Sequence, residues 1–185
     1  LLFEAVNYQK ARVRVRKIFA NNLLQFFQQN YYDDQYYSSM DYVSRVVRDT
    51  TIDLGARSST RLDQSNTYSL DLSRLITDSR KSMYLLEIRG VDPLTPVDDE
   101  YDYDYYFGDY RTYKERSKVV VQSDIGLICK SSGSDQYVVY TTDLVSARPK
   151  GGCKVRTYDR QNQMLAEAST DSEGRAVLRT KDEPY

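Results

Sequence analysis

The chain has 185 residues, of which 40% are hydrophobic, and a formal net charge of −1. It is long enough and apolar enough to form one large domain or two small ones. The charge balance excludes a nucleic-acid surface, which needs a basic excess, and no apolar run reaches the ~18 residues of a membrane span. The chain begins at Leu1 without a secretory leader, which predicts a fragment or a processed product.

Two features of the composition argue against catalysis. The sequence contains no histidine, the commonest general base and metal ligand. Its two cysteines, Cys129 and Cys153, lack the Cys-x-x-Cys spacing of zinc and iron–sulfur sites. Both lie in strand patterns, so we expect buried thiols in preference to a disulfide or a reactive thiolate. The sequence predicts neither an enzyme nor a cofactor.

The first strong strand pattern lies in residues 10–19, KARVRVRKIF. Val13 and Val15 point to one side and arginines to the other, which predicts a strand with one buried and one solvated face. We interpret the arginine row as the solvated face of that strand, in preference to a phosphate-binding stripe. The arginines are Arg12, Arg14 and Arg16.

The remainder of the first ninety residues also favours strands. A short helical turn is predicted near 21–30, where Leu and Phe at helical spacing follow two asparagines. The tyrosine-rich residues 31–40 predict a loop or a sheet edge. Further strands are predicted within 41–54, in 67–76 (TYSLDLSRLI) and in 83–90 (MYLLEIRG), the last two because their side chains alternate.

The carboxy-terminal third of the chain consists of short strands and turns. Residues 117–131, SKVVVQSDIGLICKS, predict one long apolar strand, and shorter strands follow with turns at SARPKGG and DSEG. Strands with a turn every 8–12 residues are typical of a β-sandwich. We therefore predict two domains, at 1–90 and at 117–185.

Between them, residues 91–116 predict an acidic, Tyr/Asp-rich insertion or linker. In an extended chain alternate residues share a face, so carboxylates would line one side and tyrosines the other. Carboxylates in a row are weak candidates for calcium, and tyrosines are candidates for protein contact. We favour a solvated acidic loop over a specific metal site. The candidate ligands are Asp98, Glu100, Asp102 and Asp104, and the candidate contact residues are Tyr101, Tyr103, Tyr105 and Tyr106.

Six stretches of the chain follow one another in the order known from one protein family. They are FEAVNYQKARVRVRKIFANNLLQFFQQN (3–30), NTYSLDLSRLI (66–76), MYLLEIR (83–89), SDIGLICK (123–130), YTTDLVSARPKGG (140–152) and VRTYDRQNQMLAEASTDSEGRAVL (155–178). Together they resemble consecutive macroglobulin-like domains of the bacterial alpha-2-macroglobulin proteins, in particular the cell-envelope members from Bacteroidetes. The resemblance covers nearly the whole chain outside the loops at 31–65 and 91–115.

The resemblance implies an all-β fold of two consecutive antiparallel β-sandwich domains, close to fibronectin type III in shape and incomplete at both ends. It implies a non-catalytic scaffold segment of a broad-spectrum endopeptidase inhibitor, which encloses a protease after the protease cuts a bait segment. Many members carry a Cys-x-Glu-Gln thioester. Neither Cys129 nor Cys153 is followed by x-Glu-Gln, so we expect any thioester outside this segment.

The resemblance also implies a location and partners. It places the chain in the periplasm or cell envelope of a bacterium, beside other domains of the same long chain and, through the full-length protein, in contact with target proteases. Membrane contact would come only through a lipid anchor outside this segment. An alternative function stays open, that of a β-sandwich adhesion or surface-assembly module of the cell envelope.

Overall fold

In a computed structural model, the chain divides into two compact units. The first comprises Leu1–Phe19 and Tyr32–Val121, and the second comprises Ala20–Tyr31 and Gln122–Tyr185. The residues that the structure describes are 1–28, 37–55, 64–78, 81–91, 115–133 and 135–184.

Antiparallel strands supply most of the secondary structure in the described residues. The strands are β1 (Leu2–Ala5), β2 (Lys10–Ile18), β3 (Ser44–Asp53), β4 (Asn66–Ser69), β5 (Ser82–Val91), β6 (Glu115–Gln122), β7 (Ile125–Ser131), β8 (Gln136–Asp143), β9 (Lys154–Tyr158), β10 (Met164–Ser169) and β11 (Arg175–Arg179). The helices are a 3-10 turn (Ala20–Asn22), α1 (Leu23–Gln28), α2 (Tyr37–Val43) and α3 (Leu72–Leu75).

The first unit packs a large sheet against a small one. The large sheet has the strand order β3-β2-β5-β6, and the small sheet pairs β1 with β4. Strand β2 is antiparallel to both of its neighbours, with Val13 opposite Ile88 and Val15 opposite Leu86. The alternation of Val13 and Val15 therefore sends both side chains into one core, which also holds Leu86. Its other buried residues are Leu70, Leu75 and Tyr84.

The second unit has the same layered arrangement on a smaller scale. A three-stranded sheet of order β11-β8-β7 faces the two-stranded sheet β10-β9. The core between them contains Val139, Val155, Ala176 and Leu178. Helix α1 is grouped with this unit, and its Gln28 donates a hydrogen bond to the carbonyl of Arg160 at 2.6 Å.

The antiparallel sheets confirm the predicted all-β fold of two sandwich domains. The predicted bounds of 1–90, 91–116 and 117–185 stay predictions, because most of the middle segment lies outside the described residues. Strand β6, which begins at Glu115, joins the large sheet of the first unit.

Three local predictions were wrong. The single strand predicted over 117–131 is two strands, because the chain turns at Ser123, whose hydroxyl accepts the Ile125 N–H at 3.0 Å. The strand predicted over 67–76 ends at Ser69, and α3 follows because Asp71 caps it by accepting the Ser73 N–H at 3.0 Å. The loop or edge predicted for 31–40 gives way to helix α2 from Tyr37 onward.

The core of the first unit allows a paired test of packing against polar burial. Tyr84 is 1% exposed, and its hydroxyl has no hydrogen-bond partner among the described residues. Because an unsatisfied buried hydroxyl costs free energy, we expect Tyr84→Phe to keep or raise the free energy of unfolding, by up to about 1–3 kcal/mol. Leu86→Ala in the same core should lower it by about 2–5 kcal/mol. Urea unfolding followed by circular dichroism measures both, and a large loss in Tyr84→Phe would contradict the assignment.

Candidate functional site

The acidic stretch that the sequence offers as a site lies outside the described residues. Its carboxylate candidates at 98–104 and its tyrosine candidates at 101–106 therefore stay predictions. Within the described ranges, no group of three or more Cys, Asp or Glu side chains is arranged to hold a metal ion. In those ranges no helix has the length and apolar character that a bilayer crossing requires.

The two cysteines differ in their exposure to solvent, and both are free thiols. Cys129 is exposed on β7, so the predicted burial of its thiol was wrong. Cys153 precedes β9 and is half-buried. Its backbone N–H donates to the Thr170 hydroxyl at 3.0 Å, which gives the position a structural role.

A buried ion pair lies on the polar face of the large sheet. Arg16 on β2 is 5% exposed and Glu87 on β5 is 3% exposed. The Arg16 Nε donates to the two carboxylate oxygens of Glu87 at 3.1 and 3.2 Å, and Nη1 donates to Asp41 on α2. One guanidinium thus joins β2, β5 and the helix that precedes β3.

Electrostatics keep this guanidinium charged. Burial is the largest single effect and lowers the pKa of Arg16. The charge of Glu87, together with the hydrogen bonds and charge from Asp41 and the hydrogen bond to Glu87, outweighs it, so the pKa is raised. A buried pair of this kind is costly to break, since removing one partner leaves the other charge without compensation. The pair therefore fixes how β2, β5 and α2 meet.

The predicted solvated arginine row is right for two residues and wrong for the third. Arg12 and Arg14 are about one-third exposed at the side chain and both donate to Asp49, at 2.8 and 3.1 Å. The pKa of Asp49 is lowered, chiefly by the hydrogen bond from Arg12. Arg16 is buried instead, because Glu87 and Asp41 come to it from β5 and α2. Glu87 standing amid apolar residues in MYLLEIRG was the sequence signal for this pair.

A small pocket opens on the same face beside these residues. It is lined by Arg12, Arg14, Glu87 and Arg89 and has a volume of about 30 Å³, which is room for roughly two or three water molecules. Its charges are mixed, and most are engaged in ion pairs or hydrogen bonds. The pocket is too small for a substrate, and we assign it no chemistry.

A second charged cluster holds the turn after β8 in place. We call this turn, residues 143–152, the braced turn. Lys150 Nζ lies 3.1 Å from Asp124 and 3.3 Å from Asp143. Asp143 also accepts the backbone N–H groups of Val145 and Ser146, at 3.1 and 2.9 Å. The Ser146 backbone and hydroxyl and the Lys150 ammonium lower the pKa of Asp143 to about 2.

Beneath this cluster, two buried threonines tie the same turn to the sheets. The hydroxyls of Thr141 and Thr170 both donate to the Lys150 carbonyl, at 2.6 and 3.0 Å. The Thr141 N–H donates to the Gly174 carbonyl at 2.8 Å. Gly174 has a φ of 70°, and a Cβ there would collide with the Thr141 carbonyl, so glycine is required. The sequence did not predict this hydrogen-bonded threonine pair, because a threonine in a strand pattern does not indicate which residues it will bond.

One strand of the second unit is open to solvent. Strand β7 ends the three-stranded sheet, and within the described residues its outer edge has no paired strand. Leu127 lies opposite the buried Thr141 and Cys129 opposite the buried Val139, so both face the core side. Leu127 is nevertheless 59% exposed. The small sheet β10-β9 therefore leaves the core side of β7 uncovered.

Residues 122–184 match the family model of the bacterial alpha-2-macroglobulin MG3 domain. The match begins at the last residue of β6. It includes the three-stranded sheet, the braced turn and the threonine pair Thr141 and Thr170. Residues 122–184 belong to the bacterial alpha-2-macroglobulin family. The predicted recognition is confirmed at this level, and the narrower resemblance to the Bacteroidetes members stays a prediction. No curated protein matches the chain.

Solved alpha-2-macroglobulin structures share the fold of the chain. A structure of native Escherichia coli alpha-2-macroglobulin spanning domains NIE-MG1 is similar, with a TM-score of 0.72, 17% identity and coverage of 100% of this chain and 80% of that one. A longer E. coli structure spanning MG0-NIE-MG1 has a TM-score of 0.68 at 17% identity, with coverage of 100% and 52%. A mutant of Salmonella alpha-2-macroglobulin has 0.60 at 16% identity, with coverage of 97% and 9%.

The chain covers only part of the length of two of these structures. It spans about half of the longer E. coli chain and about a tenth of the Salmonella chain. The chain is therefore similar in fold to a part of these longer alpha-2-macroglobulin chains.

The buried ion pair of the first unit should respond asymmetrically to substitution. Glu87→Gln removes one charge and leaves Arg16 buried, so we expect the free energy of unfolding to fall by about 3–5 kcal/mol. The double variant Arg16→Met with Glu87→Leu should recover most of that loss, since matched apolar residues replace a buried pair at little cost. Asp49→Asn, on an exposed pair of the same sheet, is the control and should cost about 0–1 kcal/mol. Denaturant unfolding compares the four proteins, and a double variant as unstable as Glu87→Gln would refute the account.

The Asp143 carboxylate, in the braced turn, should titrate at low pH. Because its folded pKa of about 2 lies below the ordinary 3.8, the stabilisation from Asp143 is present above pH ~4 and is lost as the pH falls through ~2. The amide signals of Val145 and Ser146 in a ¹H–¹⁵N NMR titration should move with a midpoint near pH 2. Asp143→Asn should abolish this titration while keeping an oxygen acceptor for both amides. A midpoint near 4 in the original protein would show that the turn does not hold the carboxylate.

Proposed function

We propose that this chain is a non-catalytic scaffold segment of a bacterial alpha-2-macroglobulin that inhibits endopeptidases by trapping them. The observation that carries the proposal is the match of residues 122–184 to the MG3 family model. The similarity to E. coli and Salmonella alpha-2-macroglobulin extends the fold over the whole chain. The MG3 match favours this role over that of an adhesion or surface-assembly module.

The internal construction of the two units suits a mechanical role. In the first unit, the double pairing of β2 and the Arg16–Glu87 pair hold the large sheet together, and the Arg16–Asp41 contact attaches α2 to it. In the second unit, Thr141 and Thr170 hold the turn at 143–152 against the strands. Units braced by buried polar contacts resist bending, because each contact would have to break before a strand could shift. Rigid bodies of this kind can transmit a rearrangement between domains.

The cysteines support a scaffold role in place of a covalent one. Neither Cys129 nor Cys153 is followed by x-Glu-Gln, so in this proposal any thioester lies elsewhere in the parent protein. Cys153 is engaged through its backbone with Thr170. The proposed partners are the other domains of the same long chain and, through the full-length protein, target proteases.

The family also suggests where the parent protein acts. By its family, the parent protein would act in the bacterial periplasm or cell envelope, where it would meet incoming proteases. Its attachment to the membrane would come from a lipid anchor outside this chain.

Inhibition by the full-length protein tests the proposal. After incubation with a broad-specificity endopeptidase, the protease should lose activity on a large protein substrate and keep activity on a small chromogenic peptide, which still reaches an enclosed protease. The full-length variant Cys129→Ser with Cys153→Ser should inhibit equally, because both thiols are outside a thioester motif. The 185-residue chain alone should neither inhibit nor hydrolyse.

Two results would contradict the proposal. A full-length protein that leaves cleavage of the large substrate unchanged is not a protease trap. A folded double-cysteine variant that loses inhibition would give one of these thiols a direct chemical role and remove the scaffold assignment. Leu86→Ala in the full-length protein is the matched structural control: it should keep inhibition at low temperature and lose it when the first unit melts.

A further inference from the structure

The outer face of the three-stranded sheet in the second unit carries four neighbouring apolar side chains. Because Val139 and Thr141 point into the core, their neighbours Tyr140 and Val138 point to the opposite side. Ile128 lies opposite Tyr140 in the strand register, and Val177 lies opposite Val138. Ile128 is 58% exposed, and Tyr140 is also exposed. These four side chains form a continuous apolar strip across β7, β8 and β11, which we name the outer strip.

Cations border the outer strip, and no carboxylate of the described strands β7, β8 and β11 lies on its face. Lys130, Arg175 and Arg179 share its face, since they lie opposite Val138, Tyr140 and Gln136. In the described part of the chain none of the three forms a salt bridge. Three other cations of the second unit are paired: Lys150 with Asp124 and Asp143, and Lys154 and Arg156 with Glu167. The charge on this face is therefore left uncompensated by its own sheets.

The braced turn extends the apolar strip at one end. A Cβ added to Gly126 would lie 2.9 Å from a methyl of Leu144, so Leu144 lies over β7 on this same face. Val145 follows it and is 90% exposed. The turn is held by Asp143 and Lys150, so these two apolar side chains are presented by a fixed backbone. A fixed apolar surface loses little conformational entropy on binding.

We propose that the outer strip is a docking surface for an acidic polypeptide segment that carries aromatic or branched apolar side chains. Its apolar side chains would cover Ile128, Tyr140 and Leu144, and its carboxylates would meet Lys130, Arg175 and Arg179. Charge complementarity decides the sign of the partner, because three cations and no acid share the face. The inference rests on this face alone and does not depend on protease trapping.

The composition favours a polypeptide over an anionic membrane or a nucleic acid. Three cations are too few for the phosphate backbone of a nucleic acid, which needs an extended basic surface. The chain as a whole carries a net charge of −1, so an anionic membrane would not attract it at long range. An acidic segment needs only local complementarity, and the tyrosine offers both an apolar ring and a hydroxyl to it.

Fluorescence polarisation with labelled ten-residue peptides tests the proposal on the 185-residue chain. A peptide of alternating Glu and Tyr should bind with saturation. Alternating Lys and Tyr, which reverses the charge, and alternating Glu and Ser, which removes the apolar side chains, should each bind at least about tenfold more weakly. Raising the salt from 50 to 500 mM should weaken the Glu/Tyr complex about threefold or more, as expected for exposed charges.

Substitutions locate the binding on the outer strip. Arg175→Glu with Arg179→Glu, and separately Ile128→Ser, should each weaken Glu/Tyr binding about tenfold or more. Arg45→Glu with Arg48→Glu on β3 of the first unit makes the same change in net charge and should leave binding unchanged. Circular dichroism confirms that each variant is folded.

Several outcomes would overturn the proposal. Equal binding of the Lys/Tyr or the Glu/Ser peptide would remove the charge or the apolar part of the recognition. An equal loss in the β3 control would reduce the effect to net charge. Binding to phosphatidylserine vesicles without binding to the Glu/Tyr peptide would identify a membrane-facing surface instead.

Discussion

The double pairing of β2 is the constraint on which the first unit depends. This strand is antiparallel to β3 on one side and to β5 on the other, so both of its backbone edges are paired and its side chains are divided between two faces. Val13 and Val15 bury one face in the core. On the other face, Arg16 is enclosed by Glu87 and Asp41. A one-residue slip of β2 would exchange the faces, placing arginines in the core and valines among carboxylates. The register is thus fixed by burial and by charge together.

The second unit has a smaller core and relies more on its turns. Four buried side chains form the cluster between its sheets, whereas the segment at 143–152 is held by two threonine hydroxyls and one lysine. Gly174 allows the β11 turn to approach the Thr141 carbonyl, which a side chain would prevent. Hydrogen bonds to buried carbonyls are expensive to lose without replacement. Turn geometry therefore supplies part of the order that a larger core would otherwise give.

The sequence alone predicted the period-two elements and the sandwich class, and it failed where side chains act at a distance. Val13 and Val15 were predicted to be buried together because strict alternation is a local signal. The burial of Arg16 was missed, since its partner Glu87 lies 71 residues away, and the apolar surroundings of Glu87 signal a buried carboxylate without identifying the arginine that meets it. The break between β6 and β7 was missed because apolar residues flank a polar pair whose turn depends on the Ser123 hydroxyl. The acidic candidate site stays a prediction, because its residues lie outside the described part, and the outer strip becomes visible only when three strands are placed in register.

Stiffness and recognition have the same origin in the second unit. The hydrogen bonds that hold the turn to β8 also fix the position of Leu144 over Gly126. The ladder of β7, β8 and β11 sets the spacing between Ile128, Tyr140 and Arg175 across one row of the sheet. A surface whose side chains are already positioned binds with a smaller entropy cost and discriminates better between partners. In the proposed scaffold role the second unit must keep its shape, and a fixed shape also gives its exposed sheet face a defined pattern for a partner to recognise.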